Sequence, residues 1–132
     1  MSAAYTGRPK KQGETDMQYV EGFVLAVPAA NKEVFRQHAA AAAVLFKEFG
    51  ATRVVECWGD DVPDGKVTDF RGAVKAEDGE IVVFSWIEYP SKAVRDAVHE
   101  RMRADPRMKE FGEMPFDGKR VIYGGFAPIV DT

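Results

Sequence analysis

Between Glu80 and Tyr89 the chain reads EIVVFSWIEY. In an extended conformation Ile81, Val83 and Ile87 point one way, and Val82, Phe84 and Trp86 the other. A strand with one wet side would alternate apolar and polar residues. This one is apolar on both faces, so both must be covered. Pro90 ends the ladder because it has no N–H to give. Ser91 follows as a helix cap, ready to accept from the first free N–H groups. Val94, Ala97, Val98 and Met102 then recur at helical spacing, and that stripe can close one face of the sheet.

The same double-faced pattern opens the folded part of the chain. Gln18 to Val27 reads QYVEGFVLAV. Its odd positions (Tyr19, Phe23, Leu25, Val27) and its even positions (Val20, Val24, Ala26) are both largely apolar. Asn31 to Phe49 predicts the longest helix, with Asn31 as N-cap and Gly50 at a left-handed C-cap. Its stripe is Val34, Phe35, His38, Ala41, Ala42, Leu45, Phe46 and Phe49. Ala51 to Trp58 predicts a second strand. Gly59 to Arg71 is a long irregular segment, and Gly72 to Ala76 is expected to add a short strand. Asp105-Pro106 marks a new start, with one or two helical turns over Arg107 to Phe111. Lys119 to Val130 predicts the last strand. Gly124-Gly125 inside it points to a bulge or to the close approach of another group.

The order is strand, helix, strand, loop, strand, helix, strand. This is an α+β, ferredoxin-like βαββαβ arrangement: a four-stranded antiparallel sheet with two helices on one face. Two helices cover one face only. A large apolar sheet face is not left bare in a soluble monomer. A two-fold homodimer that packs sheet on sheet resolves this, as a dimeric α+β barrel.

Composition narrows the partners. The chain has 132 residues, one cysteine (Cys57) and a net charge of −3. That length suits one domain, here residues 17–132 behind a polar N-terminal extension over 1–16. The acidic balance offers no electrostatic footprint for nucleic acid. No run approaches the roughly 20 apolar residues of a membrane span. A single cysteine and the absence of a signal-peptide pattern point to the cytoplasm. Asp60, Asp61, Asp64 and Asp69 do not match the spacing of a calcium loop, so no metal site is expected. Without HxxxH, GxGxxG or CxxC, no cofactor is expected either.

Candidate chemistry is sparse. His38 lies in the helical stripe, where imidazole is either a packed core group or a pocket base. It is the one catalytic candidate. Glu56 is a carboxylate in an apolar strand and could pair with Arg53 or another arginine. Trp58, Trp86 and Tyr123 could line a pocket between helices and sheet, with Arg120 or Glu56 as charge partners. His99 falls off the apolar stripe among charged residues and reads as a surface histidine.

The segments YVEGFVLAVP, CWGDDVPDGKVTDF, VVFSWIEYPSKAVRD and MPFDGKRVIYGGF resemble the bacterial YbaA-like family of unknown function, over about Met17 to Asp131. The resemblance implies a dimeric α+β barrel, in a superfamily that includes small cofactor-free enzymes, and carries over no catalytic residue. Two functions stay open, and with them whether the protein is an enzyme. One is a small enzyme acting on, or binding, an apolar or aromatic metabolite. The other is a non-catalytic dimeric binding or structural protein.

Overall fold

A computed structural model describes residues 18–132; the extension over 1–16 lies outside the described residues. Strands β1 (Tyr19–Pro28), β2 (Arg53–Trp58), β3 (Glu80–Tyr89) and β4 (Ile122–Phe126) form one antiparallel sheet in the order β2-β3-β1-β4. Helices α1 (Lys32–Phe49) and α3 (Lys92–Ala104) lie together on one face, and the short helix α2 (Phe70–Ala73) precedes β3. The fold is α+β and ferredoxin-like, with β1 and β3 in the centre, where both of their faces carry apolar side chains. Among the described residues no helix is long and apolar enough to cross a membrane.

The helix-facing core joins Leu45 and Phe49 of α1, Val98 and Met102 of α3, and Ile87 and Tyr89 of β3. A second cluster joins Leu25, Val27, Phe35 and Val83. Both use the odd positions of β1 and β3. Ser91 caps α3 by accepting from the Val94 N–H at 3.1 Å. Asn31 stands at the N-terminus of α1 but does not cap it. Its amide instead donates to the Pro115 carbonyl at 3.0 Å, tying the C-terminal segment to the helix start. Gly50 ends α1 at φ 142°, and a Cβ there would lie 2.9 Å from Val94 Cγ1. The glycine permits both the backbone conformation and the close approach of α3.

Three expectations need correction. Gly72 to Ala76 is not a strand: the chain forms α2 and a turn there. Asp69 caps α2 by accepting from Gly72 N at 2.6 Å, which commits the backbone to a helical turn. The last strand is shorter than Lys119 to Val130. Asp117 caps a 3-10 turn over Gly118–Arg120, and the ladder runs only from Ile122 to Phe126. Gly124-Gly125 forms no bulge, because pairing with β1 is unbroken from Val20↔Phe126 to Val24↔Ile122. The glycines make room for rings. A Cβ on Gly125 would lie 2.3 Å from the Tyr19 hydroxyl, and Phe126 lies against Gly22 and Gly124.

The long segment between β2 and β3 folds back over the helix-free face. Val74 is buried there with Ala26 and Val82. Phe70 meets Phe84 edge-on, with ring centroids 6.2 Å apart. An ion-pair clamp fixes this segment. Arg120 donates to both carboxylate oxygens of Glu80, at 2.7 and 2.8 Å, and to the Lys75 carbonyl. Arg71 donates to the carbonyls of Glu80 and Glu77.

The Arg120 hydrogen bonds hold the Glu80 carboxyl at about 2, against the opposing effect of burial. A carboxylate with a lowered folded-state pKa stabilises above its ordinary value, and that contribution fades as the pH falls toward the folded value. Glu80→Gln should therefore cost about 1 kcal/mol at neutral pH, the ion-pair share being discounted for solvent. The variant should also lose less stability than the native chain between about pH 4.5 and 2. Urea melts across that interval measure it, and parallel curves would show that the clamp does not titrate.

Candidate functional site

A cavity of about 380 Å³ lies between α1 and the edge strand β2. Its walls come from the helix-facing positions of β2 (Val54, Glu56, Trp58) and from Phe35, Ala39 and Ala43 of α1. The alanines matter because a larger side chain there would fill the gap between helix and strand. Phe35 meets Trp58 at a centroid separation of 6.4 Å. Lys32 places its ammonium 5.4 Å from the centre of the Trp58 ring, a cation–π contact at the cavity wall. Arg36 also lines the space and is held by Glu33 in a two-pronged ion pair.

Glu56 is the carboxyl that β2 brings to this cavity, beside Glu33 from α1. As a residue it is exposed, yet desolvation of its carboxyl pushes the pKa up, while a hydrogen bond with Ser85 pulls it down. It does not pair with Arg53, which meets Glu88 at 3.5 Å on the other side of the sheet. A carboxylate at the edge of a largely apolar cavity can accept a hydrogen bond from a ligand.

The sequence-derived candidates separate in space. Trp58 and Glu56 meet at the α1–β2 cavity. Trp86 is on the helix-free face, tilted against Phe84, with its N–H donated to Glu88 at 2.9 Å. Tyr123 is on β4, stacked on Phe23 with centroids 6.3 Å apart. Arg120 belongs to the Glu80 clamp. His38 packs on Phe111, ring centroids 5.2 Å apart. Its Nε2 is buried without a hydrogen-bond partner among the described residues, and burial lowers its pKa.

The orphaned nitrogen of His38 makes a stability prediction. His38→Leu removes a buried polar atom and keeps the volume, so stability should hold or rise by up to about 1 kcal/mol. Thermal melts test this, and a clear loss would mean that the imidazole has a partner in solution.

A polar cluster that the sequence reading missed lies under α3. Glu21 is 2% exposed on the helix-facing side of β1. Tyr89 donates its hydroxyl to Glu21 Oε1 at 2.7 Å, and His99 Nε2 lies 2.8 Å from Oε2. Arg95 Nη1 approaches Oε2 at 3.4 Å and Asp96 holds its Nε at 2.8 Å. Burial, and then the bond to Glu21, push the Tyr89 phenol pKa up. One signal was available: Arg95 and His99 are four apart, so they share a helix face. Beside them the stripe Val94, Val98, Met102 points inward.

Comparison with known proteins gives the chain its family. The family described as "Protein of unknown function (DUF1428)" matches residues 18–118. The chain belongs to this family. Within it, the "Uncharacterized protein YbaA" of Escherichia coli strain K12 is 72% identical over 116 residues, covering 87% of this chain and 99% of the relative. The YbaA of Shigella flexneri matches to the same extent. Among solved structures, a dimeric ferredoxin-like protein from an uncultured marine organism superposes with a TM-score of 0.54 at 10% identity. The match covers 87% of this chain and 98% of that one, and at such low identity it speaks for the fold alone. The β1 and β3 segments and all four groups of the Glu21 cluster fall inside the DUF1428 match, as does the α1–β2 cavity.

Proposed function

We propose that this DUF1428 protein is a homodimer, joined through its helix-free sheet face, in which each protomer binds a small apolar or aromatic molecule between α1 and β2. The observation that carries the binding site is the cavity itself. About 380 Å³ sits in the lower part of the roughly 300–1,000 Å³ range of ligand sites. Its walls are largely apolar, with Trp58 and Phe35 for ring contact, and Lys32, Arg36, Glu33 and Glu56 are the charged groups that would orient a ligand. Lys32 supplies a cation beside the Trp58 ring, so an aromatic compound with a carboxylate suits the site better than a neutral hydrocarbon. Binding, rather than turnover, is the favoured activity here. The imidazole considered as base, His38, packs on Phe111 and does not line the cavity.

The dimer rests on the apolar helix-free face. The marine ferredoxin-like neighbour is itself described as dimeric, which supports the same assembly. Ligand-observed NMR with indole-3-acetate, indole and benzoate tests the cavity. Indole-3-acetate should bind most tightly, and Ala39→Phe, which fills the space, should weaken it at least tenfold while the fold survives. Equal binding by the native chain and Ala39→Phe would move the ligand elsewhere.

A further inference from the structure

Two opposite charges line the α1–β2 cavity without pairing with one another or with a neighbour. Glu33 and Arg36 satisfy each other across one helical turn. Lys32 and Glu56 belong to no ion pair among the described residues. Lys32 has the Trp58 ring, and Glu56 has a hydrogen bond with Ser85. Desolvation of the Glu56 carboxyl disfavours its charge. A cation entering the cavity beside it would offset that cost.

The cavity also has a direction. Lys32 and Phe35 lie against Trp58, so the start of α1 meets the end of β2. From there Ala39 and Ala43 follow along the helix at steps of about 5–6 Å. On the strand Trp58, Glu56 and Val54 follow in the same direction, about 6–7 Å apart. Val54 packs at the far end on the cluster that holds Leu45 and Phe49. Along the cavity a free cation therefore comes first, an unpaired carboxylate second and apolar walls last.

We propose that this cavity selects an aromatic α-amino acid. Lys32 receives its carboxylate, Glu56 its ammonium, and the space bounded by Phe35, Ala43 and Val54 its ring. The assignment rests on the reading of the cavity as a ligand site, and narrows the ligand from an aromatic acid to a zwitterion. An α-amino acid carries both charges on one carbon, with the ring one methylene further on, so its groups come in the same order as the walls. Hydrogen bonds between ionised groups are roughly twice as strong as neutral ones. A ligand without the ammonium leaves Glu56 desolvated and unpaired beneath it, and that penalty gives the preference. Glu56 is thus the specificity-determining residue.

Three indoles separate the contributions. Tryptophan carries both charges, indole-3-propionate lacks the ammonium, and tryptamine lacks the carboxylate; ring and linker are the same. Titrations followed by ligand-observed NMR should give the native protein a Kd for tryptophan at least tenfold below that for either analogue. In Glu56→Gln the advantage of tryptophan over indole-3-propionate should vanish, while its advantage over tryptamine persists. Lys32→Gln should do the reverse. Lys32 is exposed in the first turn of α1, and glutamine has the shape of glutamate, so both variants should keep the native circular dichroism. The proposal fails if either analogue matches tryptophan on the native protein, or if each variant lowers both advantages alike. If indole-3-propionate binds as tightly as tryptophan, and Ala39→Phe weakens it, the cavity stays a ligand site and only the amino-acid assignment is overturned. If none of the three indoles binds, the ligand site is overturned and the assignment with it.

Discussion

Replacing Phe84 and Ile122 together by aspartate should turn the proposed homodimer into a monomer of 14.6 kDa. Both residues lie on the helix-free face in one row across the sheet: Cys57, Phe84, Val24, Ile122. Phe84 and Ile122 are each 45% exposed in the protomer. The next row, Val55, Trp86, Gly22, Gly124, would leave a trough at its glycines, but the Phe126 ring lies over both. Phe126 itself is 61% exposed. The result is a broad apolar surface, with the Arg53–Glu88 pair at one corner as a polar rim. The chain's own α2 and the residue after it, Val74, cover the far end at Ala26 and Val82, and Phe70 meets one edge of Phe84.

A standard interface buries about 800 Å² per partner, and a face four strands wide can supply that. Central apolar anchors contribute about 2 kcal/mol or more each. Losing two would weaken association by roughly 1,000-fold, before any cost of bringing carboxylates face to face across the two-fold axis. Sedimentation equilibrium at micromolar concentration reads the outcome, and the helix-facing core is untouched, so circular dichroism should stay native. A double variant that remains dimeric would show that the sheet face is not the interface.

The double-faced strands made the fold legible, since only a central strand of a covered sheet needs apolar residues at successive positions. The strength of that pattern in β1 and β3 also identified the surface left bare by the helices. Helix α2 was not legible for an opposite reason. Four residues are too few to show a helical period, and Phe70 and Val74 stand alone in a polar stretch. Gly124-Gly125 was read as a backbone irregularity because the sequence does not show which ring, Tyr19 or Phe126, will lie over it.

The candidate site was legible only in part. Trp58 and Glu56 alternate on β2 and so had to share a face, but that α1 would stand off from them was a matter of three-dimensional packing. Trp86 and Tyr123 have the same residue chemistry and ended elsewhere because strand parity and strand order, not composition, decide which rings meet. The Glu21 cluster escaped because each member looks ordinary alone. One glutamate in a strand, one tyrosine at a strand end and two charged positions on a helix become a network only once β1, β3 and α3 are placed together.

Glu21→Ala should then be among the most destabilising single changes in the chain, at about 3 kcal/mol. The loss has two sources. Tyr89 is 1% exposed, and without Glu21 its hydroxyl keeps no acceptor, a cost of about 1–3 kcal/mol for a buried donor. Arg95, with a side chain only 15% exposed, loses one of its two carboxylates, and breaking a buried charge pair from one side is costly. Three further variants separate these contributions. Glu21→Gln keeps an acceptor for Tyr89 and should cost only about 1 kcal/mol. Tyr89→Phe removes the donor together with its need for a partner and should also cost about 1 kcal/mol. Glu21→Leu restores the volume but not the acceptor. If stranded polar partners dominate, Glu21→Leu should be nearly as unstable as Glu21→Ala. Adding Tyr89→Phe to either should then cost less than its effect in the native chain, a coupling of at least about 0.5 kcal/mol. If Glu21→Leu instead matches the native chain, the network contributes nothing to stability, and the loss in Glu21→Ala is that of an empty cavity beneath α3. Denaturant melts on the native chain, the four single variants and the two double variants decide between the two.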